Sequence, residues 1–295
     1  MKIIILLQIV LISITMQAIK SILDVKKIKV ISFDVTGTLL IHKYPIMNTY
    51  AECAVWARLT DPPSAEELKP AFKKAYYKYC TEMKCFGYHQ SLSPRGWWSL
   101  VVKEALKNCG RNYNDDDYER YFRRIYQHYG SLEGYEILPD ALDFLKWAAG
   151  LKNNDGSSRF NFGVTTNTPT RTIETVLPMI GYHNYFSWFV CSGDIGEEKP
   201  SPVIYNKAYS LAKFWTPNLK RNEILHIGDS LVADYCGSKA AGFQSLNLDR
   251  SENLRVTVYQ DWLEAPQYPG KSEDDIKKYS VKNFDQVRKI LEEGI

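Results

Sequence analysis

A carboxylate closes an apolar, β-branched run, Val30-Ile31-Ser32-Phe33-Asp34, and Val35-Thr36-Gly37-Thr38 follows at once. Such a run is that of a strand buried in a parallel sheet, with Asp34 at its carboxyl end. Open α/β sheets bind their ligands at that edge. Gly37 permits a sharp turn directly after the strand. An aspartate so placed can attack phosphorus and form an aspartyl-phosphate. Taken alone, it can equally be an N-cap or a turn residue. The chemistry therefore depends on partners elsewhere in the chain.

Three further stretches offer them. Val164-Thr165-Thr166-Asn167 ends a second apolar run, Lys199-Pro200 comes after a third, and Gly228-Asp229-Ser230 closes a fourth, with Asp234 just beyond. In a parallel sheet these ends share one edge, so the groups can meet. Together they match the needs of phosphoryl transfer. Asp34 is the nucleophile, Thr166 and Asn167 bind non-bridging oxygens, and Lys199 neutralises developing charge. Asp229, with Asp34 and the nearby Asp234, can hold a hard cation, Mg²⁺ being the natural choice for an all-oxygen set. Singly, each of these is an ordinary surface lysine, turn or helix cap.

The elements that must position them follow from periodicity. Strands are expected at 26–34, 160–167, 185–191, 222–227 and 243–248, with helices at 138–150, 169–181 and 202–214, and Asp234 on a helix that ends near Gly242. Strand and helix alternate, which predicts an α/β fold with a parallel sheet and helices on both faces. Between residues 47 and 134 the texture changes to helical spacing, at 65–83, 96–109 and 115–129, rich in Tyr, Trp, Lys and Glu. This reads as a helical insert whose Trp97 and Trp98 form its core. The stretch 251–282 reads as irregular and charged. Asn283 and Gln286 suggest a capping box for a last helix that stops at Gly294.

Composition narrows the classes. The chain has 295 residues, 45% hydrophobic and 24% charged, with a net charge of +3. That is ordinary globular composition, enough for one large domain or two smaller ones. There is no basic stripe laced with aromatics, so no nucleic-acid partner is expected. The six cysteines (Cys53, Cys80, Cys85, Cys109, Cys191, Cys236) show no metal-ligand spacing and read as buried or idle thiols. Residues 3–16 are an apolar-rich run of signal-peptide length, too short for a comfortable membrane span. Two readings of it stand side by side: a signal or anchor, which brings a membrane or the secretory pathway into play, and a start-site extension or an extra hydrophobic strand or helix.

The four stretches taken together resemble the motifs of the haloacid dehalogenase (HAD) superfamily. Asp34 matches the first motif, Thr166 and Asn167 the second, Lys199-Pro200 the third, and Gly228-Asp229-Ser230 with Asp234 the fourth. The resemblance implies a HAD-like Rossmannoid core at 26–46 and 135–295, a helical C1 cap at 47–134, and a hydrophobic N-terminal segment with linker at 1–25. It also implies a Mg²⁺-dependent hydrolase of a small phosphorylated compound. Thr36 would then offer the metal its backbone carbonyl, and the protein would work in the cytosol or nucleus if the N-terminal run is an extension. One position departs from the phosphatases of the superfamily. They carry a general-acid Asp two residues after the nucleophile, where this chain has Thr36. Two alternatives follow, a metal-independent dehalogenase-type hydrolase and a catalytically weak ligand-binding protein of the same fold. A phosphonatase would need a Schiff-base lysine from the insert, and none of Lys69, Lys73, Lys74, Lys78 or Lys84 is singled out by its neighbours.

Overall fold

The computed structural model describes residues 23–250 and 280–293. The apolar N-terminal run and most of the charged stretch before the last helix lie outside these residues. Among the described residues no helix is long and apolar enough to cross a membrane.

The strands are β1 (Val30–Phe33), β2 (Leu40–His42), β3 (Tyr135–Ile137), β4 (Asn161–Thr166), β5 (Trp188–Cys191), β6 (Ile224–Gly228), β7 (Gln244–Leu248) and β8 (Ser280–Val281). Six of them make one sheet in the order β5-β4-β1-β6-β7-β8, and every pairing in it is parallel. The expected α/β architecture is present. β1 lies at the centre, with Ser32 opposite Gly163 on β4 and His226 on β6.

The period of two along each strand assigns the faces. Ile31, Phe33, Phe162, Val164, Leu225 and Ile227 point to one side, where they pack with helices α5 (Pro139–Gly150) and α7 (Phe284–Glu292), numbered in chain order after the four helices of the insert. Val30, Ile224 and Trp188 point to the other, against α6 (Pro202–Trp215) through Ile204, Tyr205, Ala208 and Ala212. Both faces are covered, and the central strands are buried on both, apolar throughout on the α5–α7 side.

The chain leaves this core through β2 and returns through β3. These two form an antiparallel ribbon, with Leu40 opposite Ile137 and His42 opposite Tyr135. Between them lie α1 (Ile46–Trp56), α2 (Ala65–Glu82), α3 (Pro94–Asn108) and α4 (Asp115–His128). Their apolar faces make a separate cluster that includes Phe72, Trp97, Tyr121 and Phe122. Trp97 is buried there as expected, its indole N–H donating to Met83 O at 2.8 Å. Local caps set the ends. Ser64 and Glu67 form a reciprocal capping box on α2, and Ser93 caps α3 at Gly96 N. The six cysteines are free thiols, three of them buried.

Several boundaries differ from the sequence expectations. Residues Val25–Lys27 form a 3₁₀ turn, so β1 begins at Val30. Short 3₁₀ turns at Tyr182–Tyr185 and Arg221–Glu223 likewise delay β5 and β6. The β2–β3 ribbon was not expected, because each arm is only three residues and its partners lie about a hundred residues apart in sequence. β8 was expected to be irregular, and two residues carry no periodic signal. The helix expected at 169–181 is present from 170 to 179, with a π segment, Thr172–Val176, inside it before its last turn, Leu177–Met179. Pro178 has no N–H to continue a regular ladder there. Asp234 lies, as expected, on a helix that ends just before Gly242; its first part, Leu231–Cys236, is π-type and continues into Gly237–Ala240. Asn283 does cap α7, accepting from Gln286 N at 3.0 Å. The Gln286 side chain reaches past it to Lys282 N, however, so the box is offset by one residue.

Phe33 anchors the α5–α7 face. Its ring centroid lies 5.8 to 6.1 Å from those of Phe144, Phe162, Phe186 and Phe284. Phe33→Ala is expected to destabilise the protein by about 3–5 kcal/mol, the cost of a large cavity with little room to collapse. Urea unfolding followed by far-UV circular dichroism measures it; a loss below about 1 kcal/mol would mean that the cluster repacks.

Candidate functional site

Asp34 emerges from β1 at the carboxyl edge of the sheet, its backbone N–H donating to Ile227 O at 2.9 Å. Its carboxylate meets the other candidates from three neighbouring strand ends. Lys199 Nζ donates to Asp34 Oδ1 at 2.7 Å and to Asp234 Oδ1 at 2.5 Å. The Thr166 hydroxyl, at the end of β4, also hydrogen-bonds the Asp34 carboxylate. Asp34, Asp229 and Asp234 each present an oxygen within 4.8 Å of the others. The sequence groups therefore converge, as the shared edge of a parallel sheet demands.

Two glycines make room for this approach. A Cβ on Gly37, which has φ +84°, would overlap the Asp229 carboxylate, and one on Gly228 would overlap that of Asp234. Gly37 also turns the chain back, donating its N–H to Leu40 O at 2.8 Å, while Thr36 bridges to Leu40 in the same turn.

The individual roles are unequal. Asn167 is occupied with the backbone of Lys199: its Oδ1 accepts from Lys199 N at 2.7 Å and its Nδ2 donates to Lys199 O at 3.0 Å. Its side chain thus sets the lysine. Asp234 is satisfied by protein donors on both oxygens. Oδ2 accepts from Ser230 N at 3.0 Å, and Oδ1 accepts from Lys199 and from His226 Nε2 at 2.9 Å. Lys199 is 4% exposed, so its ammonium depends on these carboxylates in place of water.

Three polar groups in the strands were missed from the sequence. His226, Ser32 and Thr165 are buried, and they connect Asp234 inward through hydrogen bonds of 2.9 to 3.0 Å. The available signal was a histidine in an apolar strand three residues before Asp229, with a serine two residues before Asp34.

Charge is unevenly spread. Burial raises the Asp34 carboxyl above its ordinary range, with Lys199 pulling against it. Burial, then the Asp34 and Asp234 charges, push Asp229 well above that range. At Asp234 burial also opposes ionisation, but Lys199 and the His226 hydrogen bond outweigh it and hold the carboxyl well below the usual values. Burial works against the Lys199 charge too, and Asp234 and Asp34 overcome it, so the lysine stays protonated. Lys199 thus answers Asp34 and Asp234, while burial and those two charges oppose ionisation of Asp229. The donors at this point are all oxygen, the type that suits a small hard cation.

The helical insert meets the same edge at two places. His89 Nε2 donates to Gly196 O at 2.8 Å, and Arg171 Nη1 donates to Tyr126 O at 2.7 Å while its guanidinium lies 3.6 Å from the Tyr126 ring centroid.

Known proteins resemble this chain in sequence and in fold. Residues 28–242 match the family model for haloacid dehalogenase-like hydrolases. Haloacid dehalogenase-like hydrolase domain-containing protein 3 of Xenopus laevis is 26% identical over 219 residues, covering 74% of this chain and 83% of its own. The fold is similar to that of a 2-haloacid dehalogenase from Pseudomonas syringae pv. Tomato DC3000, at TM-score 0.58 and 20% identity over 91% of this chain and all of the other. It is also similar to the HAD-hydrolase YfnB of Bacillus subtilis, solved bound to magnesium, at TM-score 0.59 and 18% identity over 90% and 98% of the two chains.

Asp229 is half-buried, and burial together with the Asp34 and Asp234 charges pushes its carboxyl well above the ordinary range, so a neutral amide there relieves a cost that only the folded state bears. In the presence of EDTA, Asp229→Asn is expected to melt about 2–4 °C above the parent, equivalent to ~1 kcal/mol for a domain of this size. Differential scanning calorimetry reads this directly. A lower melting temperature would mean that the Asp229 carboxyl is well accommodated by its neighbours.

Proposed function

The chain belongs to the haloacid dehalogenase-like hydrolases, and on that premise we propose that it is a Mg²⁺-dependent hydrolase of a small phosphorylated compound, working through an aspartyl-phosphate at Asp34. The observation that carries this is the carboxylate cluster. Asp34, Asp229 and Asp234 crowd within 4.8 Å, and Lys199 bridges Asp34 and Asp234. A dehalogenase-type site without a metal would gain nothing from the added charge of Asp229.

In this reading Asp34, Asp229 and the Thr36 backbone carbonyl would hold Mg²⁺, with Asp234 behind them holding Lys199. When bound, the ion supplies neutralisation of the phosphoryl oxygens. Asp34 attacks phosphorus, and the bond to the leaving oxygen breaks as the carboxyl–phosphate bond forms. Lys199 and Thr166 stabilise negative charge beside it. Water then cleaves the intermediate, releasing phosphate and restoring Asp34. The helices between β2 and β3 act as the cap over this edge, the unit between residues 47 and 134, and their closure would exclude bulk water.

Thr36 stands where the phosphatases of the superfamily carry their general acid. A threonine hydroxyl is too weak an acid to protonate a departing alkoxide. The best substrates are therefore those whose leaving group departs as a stable anion, acyl or aryl phosphates ahead of sugar phosphates.

Phosphate release from acetyl phosphate, with and without Mg²⁺, tests this reading. Asp34→Asn is expected to abolish turnover with the fold intact, since no neighbour can supply the covalent oxygen. Comparable rates in variant and parent would remove Asp34 as nucleophile. Thr36→Asp is expected to raise kcat/KM on a sugar phosphate by up to about 10²-fold while changing acetyl phosphate little, because only the poor leaving group needs a proton. An equal change on both substrates would show that Thr36 has another role.

A further inference from the structure

One buried polar group takes no part in the chemistry proposed above. His226 lies in β6 between Leu225 and Ile227, with no solvent exposure. An imidazole without water needs partners on both nitrogens. Nδ1 lies 3.0 Å from Ser32 Oγ and Nε2 lies 2.9 Å from Asp234 Oδ1. A carboxylate only accepts, so Nε2 carries a proton. Burial holds the ring neutral, so Nδ1 accepts from Ser32, and Thr165 Oγ1 in turn donates to Ser32 Oγ across 2.9 Å. The donors run one way, from Thr165 through Ser32 and His226 to Asp234.

This chain crosses β4, β1 and β6 on the face that α6 covers, with Ser32 and His226 directly opposite each other in the sheet. The Tyr205 ring on α6 stands edge-on to the imidazole at 5.5 Å and closes the remaining side. The imidazole is thus fixed in position and in tautomer. At its far end Asp234 Oδ1 also receives Lys199 Nζ at 2.5 Å, and the same Nζ reaches Asp34 Oδ1 at 2.7 Å. Without His226, Oδ1 would be tied to the body of the sheet by nothing but the lysine it is meant to hold.

We infer that His226, set by Ser32, is a positioning residue: it fixes the Asp234 carboxylate so that Lys199 presents its ammonium to the nucleophile Asp34. The inference rests on the phosphoryl-transfer reading for its kinetic consequence, and on geometry alone for the placement of Lys199.

The test uses the full chain with Mg²⁺ and acetyl phosphate as probe. His226→Leu removes both hydrogen bonds, while His226→Gln retains an N–H able to reach Asp234. The Leu variant is expected to lose about 10²-fold in kcat, the size of effect that a misplaced catalytic group produces. KM should stay within about threefold, since the loss falls on the chemical step. The Gln variant should recover about tenfold of that loss. An unchanged kcat with only a lower melting temperature, or a Gln variant no better than Leu, would overturn the role. Lys199 provides a second readout that needs no turnover. Reductive methylation followed by mass spectrometry should find it protected in the parent and modified about tenfold faster in His226→Leu. Equal protection would overturn the inference even if activity fell. A parent inactive on acetyl phosphate would count against the phosphoryl reading alone, and the methylation result would still decide the positioning. If the Leu variant does not fold, Ser32→Ala should move both readouts in the same direction, with a loss of roughly threefold in kcat, and no change in either would overturn the role.

Discussion

The site depends on one buried cation. Lys199 lies between Asp34 and Asp234, within 2.7 Å of each, and almost none of it reaches solvent. Taking an ammonium out of water costs several kcal/mol, and a single carboxylate rarely offsets that. Two carboxylates do, provided that neither can swing away. The rest of the structure meets that proviso. Asn167 clamps the lysine backbone on both its donor and its acceptor, Ser230 N holds Asp234 Oδ2, and His226 holds Oδ1. Removing one partner would leave an uncompensated charge in a low-dielectric place, so the arrangement is rigid by necessity.

The same constraint explains an oddity of the sheet. Central strands of a doubly covered parallel sheet are expected to be apolar, and on the α5–α7 side they are. On the α6 side, Thr165, Ser32 and His226 interrupt the apolar pattern across three adjacent strands. Buried polar groups of this kind are tolerated only when each is paired, and pairing here needs all three strands in register. The polar chain therefore specifies the strand alignment as well as serving the site. Phe33, one residue before Asp34 and on the opposite face, supplies the apolar counterpart with its four aromatic neighbours.

The β2–β3 ribbon connects the core to the four helices between its strands. Two contacts, His89 to Gly196 and Arg171 to Tyr126, bring the helical unit down beside the Asn167 and Lys199 loops. Few polar bonds cross that boundary, whereas the helices have a substantial apolar core of their own. Such a division suits a unit that admits small molecules and then shields them.

The sequence by itself determined the parallel α/β core, the helical insert and the identity of the charged groups. Those properties are written in local periodicity: a β-branched run ending in Asp34, another ending at Thr166, a third closing on Gly228-Asp229. Strand ends of one parallel sheet must lie along one edge, so convergence followed from topology alone. Which partner each group holds there was decided only by the tertiary structure. Asp234 looks from sequence like a third metal carboxylate, yet both its oxygens are taken by donors from three separate places in the chain. Asn167 looks like a substrate amide and is bound instead to the lysine backbone. His226 and Ser32 are 194 residues apart, and the short strands of the ribbon have partners nearly a hundred residues away. Hydrogen-bond partnership between such residues depends on register and rotamer. Both are set by the packing of the whole core, and neither leaves a period in the local sequence.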